Sequence, residues 1–127
     1  MYKKVLILIF IFAFSAYSQG LKFEYRAVPK IVSAKGEYNS VFYIYYNNPE
    51  DARVSGCIFN LLGMKIANFR KEGDTGVPLY DDPDAFGGAK EWEGRLIWEP
   101  KNIPSGIYIW QIEVGNKIYT GTVVVAK

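Results

Sequence analysis

Few side chains in this sequence have chemistry to offer. The chain of 127 residues has no histidine and a single cysteine, Cys57. Without an imidazole there is no Ser-His-Asp relay, no Cys-His pair and no zinc site of the usual ligand set. A lone thiol has no internal disulfide partner. A catalytic thiolate would need lysine or arginine to lower its pKa, and no such pattern surrounds Cys57. It reads as a small buried hydrophobe, or as a site of intermolecular disulfide formation if its strand face is exposed.

The densest acidic cluster is Asp81, Asp82 and Asp84, near Asp74, Glu91 and Glu93. Calcium takes six to eight oxygen ligands and often uses such loops in extracellular modules. The run DDPD lacks the Asp-x-Asp-x-Asp-Gly spacing of a calcium loop, so these three are weak metal candidates and a solvated acidic loop is the plainer reading. Paired carboxylates also serve glycosidases, but any acidic loop offers such a pair. Gly87-Gly88 is not a phosphate loop, because no Gly-Lys-Ser/Thr follows. Tyr43 and Tyr45 share one strand face and, with Tyr25, Trp92 and Trp98, form a candidate carbohydrate or peptide platform. Aromatics at alternating positions more often pack across strands. No reaction emerges: the sequence reads as non-enzymatic, with no cofactor.

The elements that position these residues follow an export segment. Lys3 and Lys4 precede an unbroken apolar run, Val5 to Phe14, and Ala16-Tyr17-Ser18 fits a small-x-small cleavage site. Cleavage after Ser18 is expected, so 1–18 is a signal peptide and 19–127 the mature domain. A run of about ten residues is too short to span a bilayer, and no membrane span is expected after cleavage. Without Lys3 and Lys4 the chain carries 13 basic and 13 acidic residues. A neutral domain gives no electrostatic reason to expect nucleic acid as a partner. Its 109 residues are enough to bury a core without disulfides.

The hydrophobic periodicity is that of strands. Leu21, Phe23, Tyr25 and Ala27 alternate with Lys22, Glu24 and Arg26. Val41 to Tyr46 is apolar on both faces and reads as a central strand. Arg53 to Phe59 alternates, and Asn60-Leu61-Leu62-Gly63 turns it into Met64 to Phe69 as a hairpin. Arg95 to Trp98 follows. Pro104-Ser105-Gly106 launches Ile107 to Val114, and Gly115-Asn116 returns the chain as Lys117 to Ala126. Tyr108, Trp110, Ile112 and Val114 should supply much of the core. Seven strands with short turns and no helical stretch predict an all-β, immunoglobulin-like antiparallel sandwich, with a small closed barrel as the alternative. Lys71 to Gly94, 24 residues rich in glycine, proline and acids, breaks this rhythm and reads as a long loop, with room for a short strand at Val77 to Tyr80.

Ile58 to Phe69 (IFNLLGMKIANF) resembles the I-Y-N-x-x-G-x-x-V-A hairpin of the immunoglobulin-like domain of flagellar hook-capping proteins, shared by C-terminal sorting domains of type IX secretion cargo. Asn102 to Lys127 resembles the closing P-S-G-x-Y segment of the same group through Pro104, Gly106 and Tyr108. Val28 to Val54 is similar to the lead-in but lacks its Pro-Asn pair, and Glu91-Trp92-Glu93-Gly94 looks like a shifted Trp-Asp-Gly. Gly63 and Gly106 are fold-makers first: Gly63 permits a backbone that a Cβ would clash with, and Gly106, following the rigid Pro104, lets the final hairpin start close to its neighbour. The resemblance implies the sandwich fold and an exported protein of the periplasm, outer surface or extracellular space. In type IX cargo the domain is an appendage on a larger body, whereas here about 20 residues separate the signal from the family core.

Three functions follow as expectations. The first is a non-enzymatic module that contacts an envelope or surface protein, or itself, through edge strands; the terminal strands Leu21 to Val28 and Lys117 to Ala126 are the candidates. The second is a type IX sorting domain acting as an export signal. The third is a carbohydrate- or calcium-binding surface module.

Overall fold

Alternation builds the core. From Gly106 to Val114 every second side chain is large and apolar, and Tyr108, Trp110, Ile112 and Val114 are all buried as the sequence pattern requires. Burying each is worth about 1.5–3 kcal/mol. The computed structural model describes residues 22–35, 39–75, 77–80 and 91–127. The expected signal segment 1–18, the Ser18-Gln19 junction, Asp81, Asp82, Asp84 and Gly87-Gly88 lie outside them.

The strands in chain order are β1 (Glu24–Val28), β2 (Ile31–Ser33), β3 (Phe42–Asn47), β4 (Val54–Phe59), β5 (Lys65–Asn68), β6 (Arg70–Gly73), β7 (Leu79–Tyr80), β8 (Glu91–Trp92), β9 (Gly94–Trp98), β10 (Gly106–Val114) and β11 (Lys117–Ala126). No helix occurs among the described residues. One sheet has the order β1-β3-β9-β6 and the other β2-β11-β10-β4-β5; β7 and β8 form a separate pair. The inner faces meet over one core, with Phe42, Ile44, Tyr46 and Leu96 from the first sheet against Ile58, Trp110, Ile112 and Val123 from the second. The described residues thus form an all-β fold with two main sheets packed over a shared core.

The expected seven strands become eleven among the described residues, and the difference has a physical origin. Beyond two of the expected strands the chain passes directly into the other sheet as a further strand. The first stretch pairs with β3 as β1, passes the cis Val28–Pro29 peptide, and continues in the other sheet as β2, parallel to β11. The stretch after the Gly63 turn pairs with β4 as β5, turns at Phe69 and enters the first sheet as β6. Phe69 marks that passage: its N–H donates to the Gly56 carbonyl and its ring packs 6.1 Å from Phe42. The segment Lys71 to Gly94 is therefore not a loop throughout. It begins in β6, and its expected strand at Val77 to Tyr80 is the shorter β7, paired with β8.

Candidate docking edge

The two passages between sheets determine which strand edges stay open. Val124 donates its N–H to the Lys30 carbonyl at 3.0 Å and lies opposite Ile31. Its backbone groups therefore point away from β10. Backbone direction alternates along a strand, so the N–H and C=O groups of Ile118, Thr120 and Thr122 point the same way. The intervening residues Tyr119, Gly121 and Val123 face Ile112, Trp110 and Tyr108 of β10. The strand β2 reaches only Val124 to Ala126. Among the described residues, no strand pairs with the outer edge of β11 from Ile118 to Thr122. That stretch also holds no charge and no proline, the devices by which free edges usually discourage pairing.

Aromatic rings form the floor beside this edge. Phe23 stacks on Tyr119 at 5.5 Å and on Tyr46 at 5.8 Å, and Tyr25 lies 5.2 Å from Tyr119 and edge-on to Trp110 at 5.7 Å. These rings close the side of the sandwich between β1 and β11. Tyr25 is still 38% exposed, so an incoming strand would meet its ring. At the lower end lies a cavity of about 490 Å³, lined among others by Lys22, Phe23, Glu50, Lys117 and Tyr119. At the upper end the Lys30 carbonyl closes the lane.

The two terminal strands are not equivalent. β1 is the outer strand of its sheet but carries Glu24 and Arg26. β11 is interior for its last three residues, where β2 covers it, and an edge below them. The sequence reading missed β2, although Ile31 and Val32 after Pro29 are the β-branched signal of a short strand.

The acids nearest the loop end serve the fold. The Glu93 carboxylate accepts the Asn48 N–H at 3.0 Å, and the Asn48 side chain bridges the turn by donating to the Ala52 carbonyl and accepting the Ala52 N–H. The Tyr46 hydroxyl donates to Asp74 at 3.1 Å, and Lys71 pairs with the same carboxylate at 2.9 Å. Burial, followed by the Asp74 and Glu93 charges, pushes the Tyr46 phenol well above its ordinary range. A second cavity, about 690 Å³, opens here, with Glu24, Asp51, Asp74, Trp92 and Glu93 among its walls. No group of three or more candidate metal ligands occurs among the described residues.

Tyr43 and Tyr45 do share a face, with rings 5.5 Å apart. Tyr45 is buried, 6.2 Å from Trp92, and Tyr43 is half-buried with Arg95 over its ring at 5.5 Å. Arg95 is held in turn by the Glu72 carboxylate at 2.6 Å. The pair is packed in a ladder rather than presented as an open platform. Trp98 lies in the core, edge-on to Tyr108.

Cys57 is half-buried on the face of β4 opposite Ile58, and burial pushes its thiol up, away from the reactive thiolate. Gly63 sits in the turn at φ 84°, where Asn60 Oδ1 accepts the N–H groups of Leu62 and Met64. Gly106 starts β10 at φ 154°. The Tyr108 hydroxyl donates back to the Pro104 carbonyl at 2.7 Å. Comparison of the chain with protein-family models, curated proteins and solved structures finds no match.

Proposed function

We propose that this chain is an exported, non-enzymatic, immunoglobulin-like β-sandwich that acts by protein–protein contact in the cell envelope or on the surface. The observation that carries the reading is the open edge of β11 at Ile118, Thr120 and Thr122. An open edge lends its backbone groups to an added strand, which gives affinity without any catalytic side chain. Two features support the immunoglobulin-like assignment. Neighbouring strands are antiparallel except for β2 beside β11, and the first stretch of chain contributes β1 to one sheet and β2 to the other. The Tyr108–Pro104 bond has the form of a tyrosine corner, a tyrosine near the start of a late strand that bonds back to the backbone a few residues upstream. The resemblance of Ile58 to Phe69 and Asn102 to Lys127 to hook-capping and sorting domains points to the same fold and to an exported setting.

In-cell photo-crosslinking tests this reading. A photo-reactive residue replacing Thr120 in the full chain is expected to give a discrete protein adduct, whereas one replacing Lys101, a surface residue away from the edge, gives none. Absence of any adduct at Ile118, Thr120 and Thr122 overturns the edge as the contact. The intact mass of the exported protein should begin at Gln19; an uncleaved chain confined to the cytoplasm overturns export.

A further inference from the structure

The edge and the cavity below it adjoin at Lys117 and Tyr119: both line the cavity, Tyr119 within the open stretch and Lys117 just before it. Resting on the edge-docking reading, we infer that the occupant is an extended protein segment, uncharged and apolar where it crosses Tyr25 and Tyr119, and closed by acidic residues at its lower end.

Three observations define this chemistry. The lane offers three N–H and three C=O groups over five residues, from Ile118 to Thr122, and the Lys30 carbonyl stops it above. Its inner side is aromatic, so side chains turned inward meet Tyr25 and Tyr119 rather than water. At its lower end the cavity brings together Lys22 and Lys117, with Glu50 as the acid among its described wall residues; Lys22 also borders the acidic cavity of Glu24, Asp51, Asp74 and Glu93, which leaves Lys117 as the cation at the end of the lane. Neither lysine has an ion-pair partner among the described residues. Lys117, the residue before Ile118, puts a positive charge at that end of the lane, which favours a carboxylate on the incoming chain and repels a cation. A strand laid in the lane, with its acidic end in the cavity, satisfies both the backbone groups and Lys117. Contact through the backbone makes the middle of the segment tolerant of sequence; the charge at its end and the apolar positions over the rings select it.

The experiment uses the mature protein and two synthetic peptides of alternating valine and threonine, one closed by two aspartates and one by two lysines. Amide exchange followed by NMR reads the site. The aspartate peptide is expected to slow exchange at Ile118, Thr120 and Thr122, with at least tenfold tighter binding than the lysine peptide. Lys117→Glu should reverse that preference. Thr120→Pro should abolish protection at the remaining edge amides. It removes an N–H that takes no part in the β10 ladder, and edge strands tolerate proline there. Should that variant fail to fold, the charge reversal at Lys117 still decides. Equal protection by both peptides, or none by either, overturns the inference, while the crosslinking result at Thr120 judges the edge reading separately. Protection of the three amides that grows with protein concentration alone identifies a second copy as the occupant and also overturns it.

Discussion

The hydroxyl of Tyr108 donates to the carbonyl of Pro104 at 2.7 Å, four residues back along the chain. This bond ties the turn that launches β10 to the first buried residue of that strand. β10 lies between β11 and β4, so its starting point fixes the register of both neighbours. The ring of Tyr108 is meanwhile buried against Trp98, so one side chain serves both the core and the turn.

Replacing Tyr108 by phenylalanine keeps the ring and removes only that bond. A typical intramolecular hydrogen bond contributes about 1 kcal/mol net. Tyr108→Phe is expected to lose about that much stability in urea unfolding, with the same β spectrum by circular dichroism. No loss would show that the Pro104 carbonyl is satisfied equally well by water.

Gly121 sits beneath the Trp110 indole, where an added Cβ would overlap the ring. Overpacking of this kind costs about 1–3 kcal/mol. Gly121→Ala should lower the unfolding midpoint accordingly and shift the Trp110 fluorescence. Gly63→Ala meets no neighbour but holds φ at 84°; it should cost about 1–2 kcal/mol through backbone strain, with no change in the Trp110 signal.

Tyr46 makes alkaline stability testable. Its phenol in the folded chain is held above the ordinary value of about 10, first by burial and then by Asp74 and Glu93. The folded protein keeps this proton at pH values where the unfolded chain has released it. Its contribution is therefore complete below about pH 10 and is lost as pH rises beyond that toward the folded value. Tyr46→Phe lacks this contribution, so its stability should fall less steeply between pH 9.5 and 11. At pH 8 the variant should also be weaker by about 1.5–3 kcal/mol, the worth of a hydrogen bond to a charged group. Urea unfolding at several pH values checks both. Parallel slopes in the two proteins would contradict the assignment.

Where long-period alternation met burial, the sequence was readable. The strand Lys117 to Ala126 has the bounds its pattern predicts, and the face of Trp110 is internal as expected. The passages between sheets were not readable, because a chain that changes sheets keeps its local propensity and changes only its partners. Val28-Pro29 and Asn68-Phe69 mark those points in the chain, but neither dipeptide names the sheet that follows. β6 (Arg70–Gly73) was hidden for a related reason: an outer strand needs few apolar residues, and its charges read as loop.

The candidate edge was half legible. The terminal strand was identifiable as a candidate edge, but its open stretch is set by where β2 stops, and a three-residue parallel pairing leaves almost no periodic signal. Tyr43 and Tyr45 were correctly placed on one face of their strand. The closure of that face by Trp92 and Arg95 depends on contacts distant in sequence that alternation does not encode.

Amide hydrogen exchange on the isolated protein tests the central claim most directly. The account predicts alternation along β11, with slow exchange at Tyr119, Gly121 and Val123, whose N–H groups bond to β10, and fast exchange at Ile118, Thr120 and Thr122. Val124, bonded to Lys30, should be slow again. Uniformly slow exchange from Ile118 to Val124 would mean that the edge is already occupied and would contradict the account.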